Sequence, residues 1–355
     1  MNNDIRIIAN KLGVTINSLS APFLNSYFLS LTPPEVEINM DETITQKPGH
    51  EREKTIWRPN EVELYYAIRW KVFLSYLPPS SSKWEETEER AKKDYNDVCK
   101  QYSNELEILK KENPIESYST DSLTTQPTNM NDSLRRSLWE IKKDVKRTNF
   151  EQNICENRAL LHKFLILHQL EMKLEYTQGF NEICAVLIDV YGKNKNEAEI
   201  YKMYKCIMDV LEDWYRDGEV GVKWIKNKCE VIQTILETKD EELAIHLKSI
   251  NLEFHLFLIR WMRLLFCQVF PLKDVKRMWD VIFAFSGRLS LVDHICVVLI
   301  VLQRNVLLSA DLTKAYTLLF NYPYDEFNVD FILNLALASC MWFEEPLIKS
   351  GYEEI

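Results

Sequence analysis

The chain has 355 residues, a formal net charge of −10, 46% hydrophobic and 27% charged residues, and only 8 glycines. The hydrophobic share supports one large core or two smaller ones, and the charged share is ordinary for a globular protein. Scarce glycine, with no G-x-G-x-x-G and no G-x-x-x-x-G-K-[ST] run, excludes glycine-rich phosphate loops, and the acidic balance argues against a nucleic-acid partner.

The opening segment, MNNDIRIIANKLGV, lacks the long apolar core of a signal peptide. Residues 1–55 read as an N-terminal extension, broken at Pro33 and polar from about Asn39 to Glu53. A helix is expected from about Asn60 to Leu77, closed by Pro78 and Pro79, and a second from Trp84 to about Lys111. Residues 113–132 turn to Ser, Thr, Asn and Pro and read as a flexible loop. Beyond it helix follows helix. Leu161, Phe164, Leu165, His168 and Met172 keep a helical period, and so do Ile200, Tyr204, Ile207, Leu211 and Trp214. Breaks are expected near Gly192, Asp217–Gly221, Asn251, Pro271, Ser286–Ser290 and Tyr322–Pro323. No strand pair with a hairpin turn and no repeat of fixed period is evident, so the class is all-α. The most apolar run, Ile295 to Leu302, is far shorter than the roughly 20 residues a bilayer span needs. The 8 cysteines form no C-x-x-C pair, and Cys184, Cys206, Cys267 and Cys296 lie in apolar stretches. Reduced core thiols in a soluble, cytoplasmic protein are the expectation.

Three segments carry chemistry. In the first, Ser137 to Thr148, Asp144 stands three residues before Arg147, so on a helix the carboxylate can orient the guanidinium. Alone, such a pair is ordinarily a solvated salt bridge of little consequence. In the second, Glu175 to Ile183, Gly179 permits a tight turn that offers Gln178 at a helix start, and Asn181 can cap the following helix. Alone, this is common joint chemistry. In the third, Ile259 to Asp280, Pro271 suits a first helical position, Asp274 suits the first turn, and Arg277 can bridge Asp274 and Asp280. Trp261 and Trp279 supply large apolar area, and this segment reads as core and scaffold.

Together these segments resemble the TBC domain of Rab GTPase-activating proteins. That family's I-x-x-D-x-x-R-T motif is matched by Ile141, Asp144, Arg147 and Thr148, and its Y-x-Q-G motif by Tyr176, Gln178 and Gly179. Its R-W-x-x-x-L-F-x-x-E-F-P-like run ending in R-x-W-D is matched by Arg260, Trp261, Leu265, Phe266, Phe270, Pro271, Arg277, Trp279 and Asp280. An earlier piece, Arg69 to Pro78, looks like the domain's opening W-x-x-L-L-x-x-L-P. The departures are Gln268 where an acidic residue is frequent, and Phe180 where Met is common.

The resemblance implies a two-lobed helical domain over residues 56–350, with an N-lobe at 56–195 and a C-lobe at 196–350. It implies a GTP-bound Rab-family GTPase as partner, and a role in vesicle trafficking. Arg147 would stabilise charge on the transferring phosphoryl group and Gln178 would orient the attacking water, both as catalytic residues supplied in trans. Asp144, Thr148, Tyr176, Gly179, Asn181, Arg260, Trp261, Arg277 and Asp280 would support them. GTP and Mg²⁺ would belong to the partner, the chain having no cofactor or metal of its own, and membrane association would be peripheral and through partners. A non-catalytic helical scaffold is the alternative. A metal-dependent hydrolase is disfavoured, because the 6 histidines form no H-x-x-x-H or H-E-x-x-H pattern.

Overall fold

Apolar residues recurring at helical spacing give helices throughout, and a computed structural model shows no strand among the described residues. The structure describes residues 68–78, 81–104, 106, 132–150, 153–172, 175–192, 196–215, 218–285 and 289–341. The extension at 1–55, residues 113–131 of the loop expected over 113–132 and residues 286–288 of the break expected over Ser286–Ser290 lie outside them, while Asp132 and Ser290 each begin a helix. So does the first part of the helix expected from Asn60, whose helical residues 68–73 are described.

The described residues divide into two compact units between Asp209 and Val210. The lobe boundary read from the sequence lies earlier, at 195/196. The first unit contains α1 (Trp84–Gln101), α2 (Asp132–Arg147), α3 (Ile154–Met172), α4 (Phe180–Tyr191) and α5 (Glu197–Val210). The helix α5 goes with this unit because its side chains are partnered there. The Tyr201 ring lies 5.5 Å from those of Phe164 and Tyr95, and Glu197 accepts from both Tyr95 and Lys163 at 2.6 Å. The centre of the unit is α3, which packs on α1, α2 and α4. Leu161, Phe164, Leu165 and His168 are buried as their period predicts, and Ile166 and Leu167 are buried as well. A helix covered on several sides loses its amphipathic stripe in this way. Met172, the last residue of α3, is exposed.

The second unit contains α6 (Glu212–Tyr215), α7 (Gly218–Lys239), α8 (Glu241–Ser249), α9 (His255–Arg263), α10 (Leu272–Phe285), α11 (Ser290–Leu302), α12 (Arg304–Leu308), α13 (Leu312–Phe320) and α14 (Val329–Met341). Every residue from Leu291 to Leu302 is buried, because α11 packs against α7, α9, α10 and α14. Two polar residues are carried into this core. Asp293 accepts from Lys228 Nζ at 2.5 Å, and His294 Nδ1 lies 3.1 Å from Ser339 Oγ. Buried polar groups need such partners. The break expected over Asp217–Gly221 is shorter than read, since α7 starts at Gly218.

Sequence logic sets several helix ends. Asp240 caps α8 by accepting from Leu243 N at 3.2 Å, and Asp311 caps α13 by accepting from Lys314 N at 2.8 Å. Pro271 carries the carbonyl that accepts from Asp274 N and Val275 N, so it stands one position before the helical residue it was expected to be. All 8 cysteines are free thiols: five are buried, Cys99 and Cys267 are partly covered, and Cys155 is exposed. No helix among the described residues is long and apolar enough to cross a membrane.

Candidate functional site

The last turn of α2 and the turn before α4 meet in one hydrogen-bonded network inside the first unit. Asp144 is 2% exposed at its side chain, and its Oδ1 holds Arg147 Nη2 at 2.9 Å, while Arg147 itself remains 49% exposed. The spacing that permits this pair on a helix is therefore used, with the carboxylate inside and the guanidinium's far side in solvent. The Tyr176 hydroxyl donates to Asp144 Oδ2 at 2.7 Å and lies 3.1 Å from Asn181 Oδ1. Asn181 Nδ2 donates to Thr148 Oγ1 at 2.9 Å, and Thr148 Oγ1 donates to the Asp144 carbonyl at 2.7 Å. The five side chains Asp144, Arg147, Thr148, Tyr176 and Asn181 are thus tied across about thirty residues of sequence.

The turn bearing Gln178 is fixed from both ends. Tyr176 N donates to Gln169 Oε1 at 2.8 Å, and Gly179 N donates to Asn181 Oδ1 at 3.2 Å. Gly179 has φ of 114°, a region where any side chain is strained, so glycine is required there. Its carbonyl accepts from Glu182 N and Ile183 N and starts α4. Asn181 does not take the capping role expected for it on α4. Gly179 is the cap residue and makes no side-chain bond, and the Asn181 amide points inward, fully buried, to join Thr148 and Tyr176. Gln178 is exposed on this turn.

The electrostatics favour a fixed guanidinium. Burial pushes the Asp144 carboxyl above its ordinary value, opposed by the Tyr176 hydrogen bond and then by the Arg147 charge. Burial, followed by the Asp144 charge, pushes the Tyr176 hydroxyl well up, so it stays a neutral donor. A buried carboxylate held by a neutral hydroxyl on one oxygen has its other oxygen left to aim the arginine.

Two contributors escaped the sequence reading. Gln169 is a buried amide in the last turn of α3, and Arg158 donates to the Thr148 carbonyl at 3.3 Å. The signal for Gln169 was present: a polar residue beside His168 on the buried side of an apolar helix needs a partner.

The third segment lies in the second unit. Arg260 donates through Nε to Gln268 Oε1 and through Nη2 to the Gln268 carbonyl, both at 3.1 Å, and reaches the Phe320 carbonyl at 3.4 Å. Trp261 is buried, edge-on to Phe257 and Tyr322. The bridge expected from Arg277 to Asp274 gives way to another. Arg277 pairs with Asp280 at 3.4 Å and with Asp330, at the start of α14, at 2.7 Å. α14 packs on α10 and brings that second carboxylate to the guanidinium. Between α9 and α10, Leu265 and Phe266 both take left-handed backbone, with φ of 43° and 67°. Phe266 N donates to the Trp261 carbonyl and Leu265 N to the Met262 carbonyl, the bonding of a Schellman helix end built without glycine. Trp279 Nε1 donates to the Leu265 carbonyl at 2.9 Å and holds that turn.

The model of one protein family, described as the Rab-GTPase-TBC domain, matches residues 67–308, which contain all three segments. The chain belongs to the Rab-GTPase-TBC domain family. It is similar to human TBC1 domain family member 5, 26% identical over 322 residues that cover 73% of this chain and 39% of that protein. It is also similar to human TBC1 domain family member 13, 28% identical over 236 residues covering 62% and 58%. A third relative is the GTPase-activating protein gyp1 of Schizosaccharomyces pombe, 25% identical over 247 residues covering 61% and 42%. The chain thus spans about two fifths of the length of the first of these relatives. The crystal structure of the Ypt/Rab-GAP domain of Gyp1p shares the fold, with a TM-score of 0.60 at 18% identity, covering 82% of this chain and 94% of that one.

Within the TBC domain the two departures have local accounts. Phe180 is buried, edge-on to Tyr176 and to His168, and so packs beneath the turn that carries Gln178. Gln268 gives Arg260 a neutral acceptor where a carboxylate would give a charged one.

Proposed function

We propose that the chain is a GTPase-activating protein for a GTP-loaded Rab-family GTPase, with Arg147 and Gln178 as the catalytic residues it supplies. The observation that carries this reading is the single network that joins the two residues' segments. Arg147 is aimed by buried Asp144, Asp144 is held by Tyr176, and Tyr176 begins the pinned turn on which Gln178 is exposed. A solvated surface pair needs no such backing, and a group that must act on a partner's phosphates does.

The chemistry is supplied in trans. GTP and its Mg²⁺ belong to the partner. The Arg147 guanidinium, always charged and forked, stabilises charge on the equatorial oxygens of the transferring phosphoryl group. The Gln178 amide, with a donor and an acceptor and no basicity, orients the attacking water. Preorganisation by Asp144 and Tyr176 lowers the cost of fixing Arg147 at the moment of reaction. Through that GTPase the chain acts in vesicle trafficking, in the cytoplasm, reaching membranes only with its partner.

The test is single-turnover GTP hydrolysis over a panel of purified Rab-family GTPases. Wild type is expected to stimulate one or a few members. Arg147→Ala and Gln178→Ala are each expected to lower the stimulated rate by about two to four orders of magnitude while remaining folded. Arg147→Lys is expected to recover little, since it keeps charge and loses the fork. Full activity in a folded Arg147→Ala protein would refute the reading.

A further inference from the structure

The exposed face of α2 extends well beyond Arg147. On a helix, Arg136, Lys143 and Arg147 fall along nearly one line, about 16 Å from end to end, with Glu140 and Trp139 on its two flanks. Arg136, Trp139, Lys143 and Arg147 are all exposed, whereas Leu138, Ile141, Asp144 and Val145 are buried against the unit. Trp139 is 40% exposed. Its ring does not enter the core, and instead Lys143 Nζ sits 3.9 Å above it. Lys143 also reaches Glu140 at 3.4 Å. Lys142 and Lys146 add charge beside the line, and burial and the nearby Lys146 charge together lower the Lys142 pKa. With Arg135, six cations thus crowd one helix of a chain whose net charge is −10.

We propose that Trp139 and Lys143, with Arg136, form the docking face that binds the GTPase and sets the choice among GTPases. This rests on the preceding reading of Arg147. Any molecule whose phosphates Arg147 reaches must lie over the same side of α2, so the stripe is continuous with that contact. Its charge complements a nucleotide site that carries a triphosphate. A half-exposed Trp stiffened by a cation–π contact is the kind of anchor that dominates protein interfaces, because it brings large area at little entropic cost. A membrane surface fits less well, since one Trp among six cations gives α2 no outward apolar face to insert.

The experiment measures Kd for GTP-loaded GTPases of the panel, and the GTPase concentration that half-saturates stimulation. Trp139→Ala is expected to raise both about tenfold, with the maximal rate within about twofold of wild type. Trp139→Phe should keep most of the affinity. Lys143→Glu should weaken binding more at low salt than at high salt. Arg147→Ala, in contrast, should lower the maximal rate. Trp139 is exposed, and an unchanged thermal midpoint for each variant confirms a folded protein.

Unchanged Kd in both Trp139→Ala and Lys143→Glu overturns the docking face, even where Arg147→Ala abolishes hydrolysis. Weaker binding by these variants, in a protein that stimulates no GTPase, supports the docking face and removes the catalytic reading instead. A chain that binds no member of the panel overturns both. If the Trp139 effect appears only in sedimentation with phosphatidylserine vesicles, the face belongs to a membrane and the proposal fails.

Discussion

The first unit keeps its shared motif residues half inside and half outside, and the second keeps almost all of its own inside. Asp144, Thr148 and Asn181 are buried, yet the network they form ends in exposed Arg147 and borders exposed Gln178. In the second unit Trp261, Trp279 and Asp280 are buried, Arg260 bonds to Gln268, and Arg277 bonds to Asp330 and Asp280 of the same unit. Polar residues in a motif can serve two ends. Where the network stops at the surface it leaves a group held in place yet open to solvent, and where it closes on itself it holds a turn or a helix pair.

Substitutions in the two regions should therefore separate activity from stability. Arg147→Ala is expected to remove about two to four orders of magnitude of stimulated hydrolysis. It should change folding stability by no more than about 1 kcal/mol, because Arg147 is half exposed, so its removal opens Asp144 Oδ1 to water, and Asp144 retains Tyr176. Trp279→Ala is expected to do the reverse by another route. It empties a fully buried site and releases the Leu265 carbonyl, at about 3–5 kcal/mol. Urea unfolding of both variants checks the pair of outcomes. A destabilised Arg147→Ala or an unperturbed Trp279→Ala would break the contrast drawn between the two units.

Tyr176→Phe tests the link between the buried network and its exposed end. The ring and its contact with Phe180 remain, and only the hydroxyl that holds Asp144 and nears Asn181 is lost. The expected outcome is about a tenfold fall in maximal stimulated rate with the Kd for the GTPase unchanged, since aim is lost and docking area is not. The stability cost should be about 1–3 kcal/mol, from a buried carboxylate oxygen left without its donor. An unchanged rate would show that Arg147 is aimed without Tyr176.

How legible these regions were in the sequence depended on the range of the interaction. The helical period from Ile200 to Trp214 found buried residues at every position, although a break at Leu211 separates α5 from α6. The Asp144–Arg147 pair was legible because both residues lie on one helix. The Asn181–Thr148 bond was not, because a helix start that offers an Asn reads first as a cap. Asp330 as partner of Arg277 was hidden by a separation of 53 positions along the chain. The left-handed Leu265 and Phe266 were hidden for another reason. Local preference calls for glycine in that turn, and the tertiary bond from Trp279 overrides it.

The two units should also differ in how much each adds to acid sensitivity, through His162 and His168 in the first and His294 in the second. Burial pushes both His162 and His168, in the first unit, down to about 4, and pushes His294, in the second, down to about 3. His168 is flanked by Glu171, which raises it, and Lys205, which lowers it, whereas His294 faces Lys239 and Lys228, which both lower it. A base whose folded pKa is depressed contributes stability that is complete above the unfolded pKa, about 6.5. That stability is lost as pH falls toward the folded value, because only the unfolded chain takes up the proton. Each histidine should therefore add a slope of about 1.4 kcal/mol per pH unit below about 6.5. Asp144 and Asp293 shift the opposite way, upward by burial, so they bind protons more readily when folded and act against the loss at lower pH. Urea unfolding at several pH values between 7 and 5 should show the midpoint falling, and His294→Gln should remove about one proton's share of that slope. His168→Gln should remove a similar share, slightly curtailed at the acid end because its folded pKa is the higher of the two. A slope unaltered in both variants would mean that neither His168 nor His294 is held neutral in its core, and the asymmetry between their flanking charges would then have no energetic consequence.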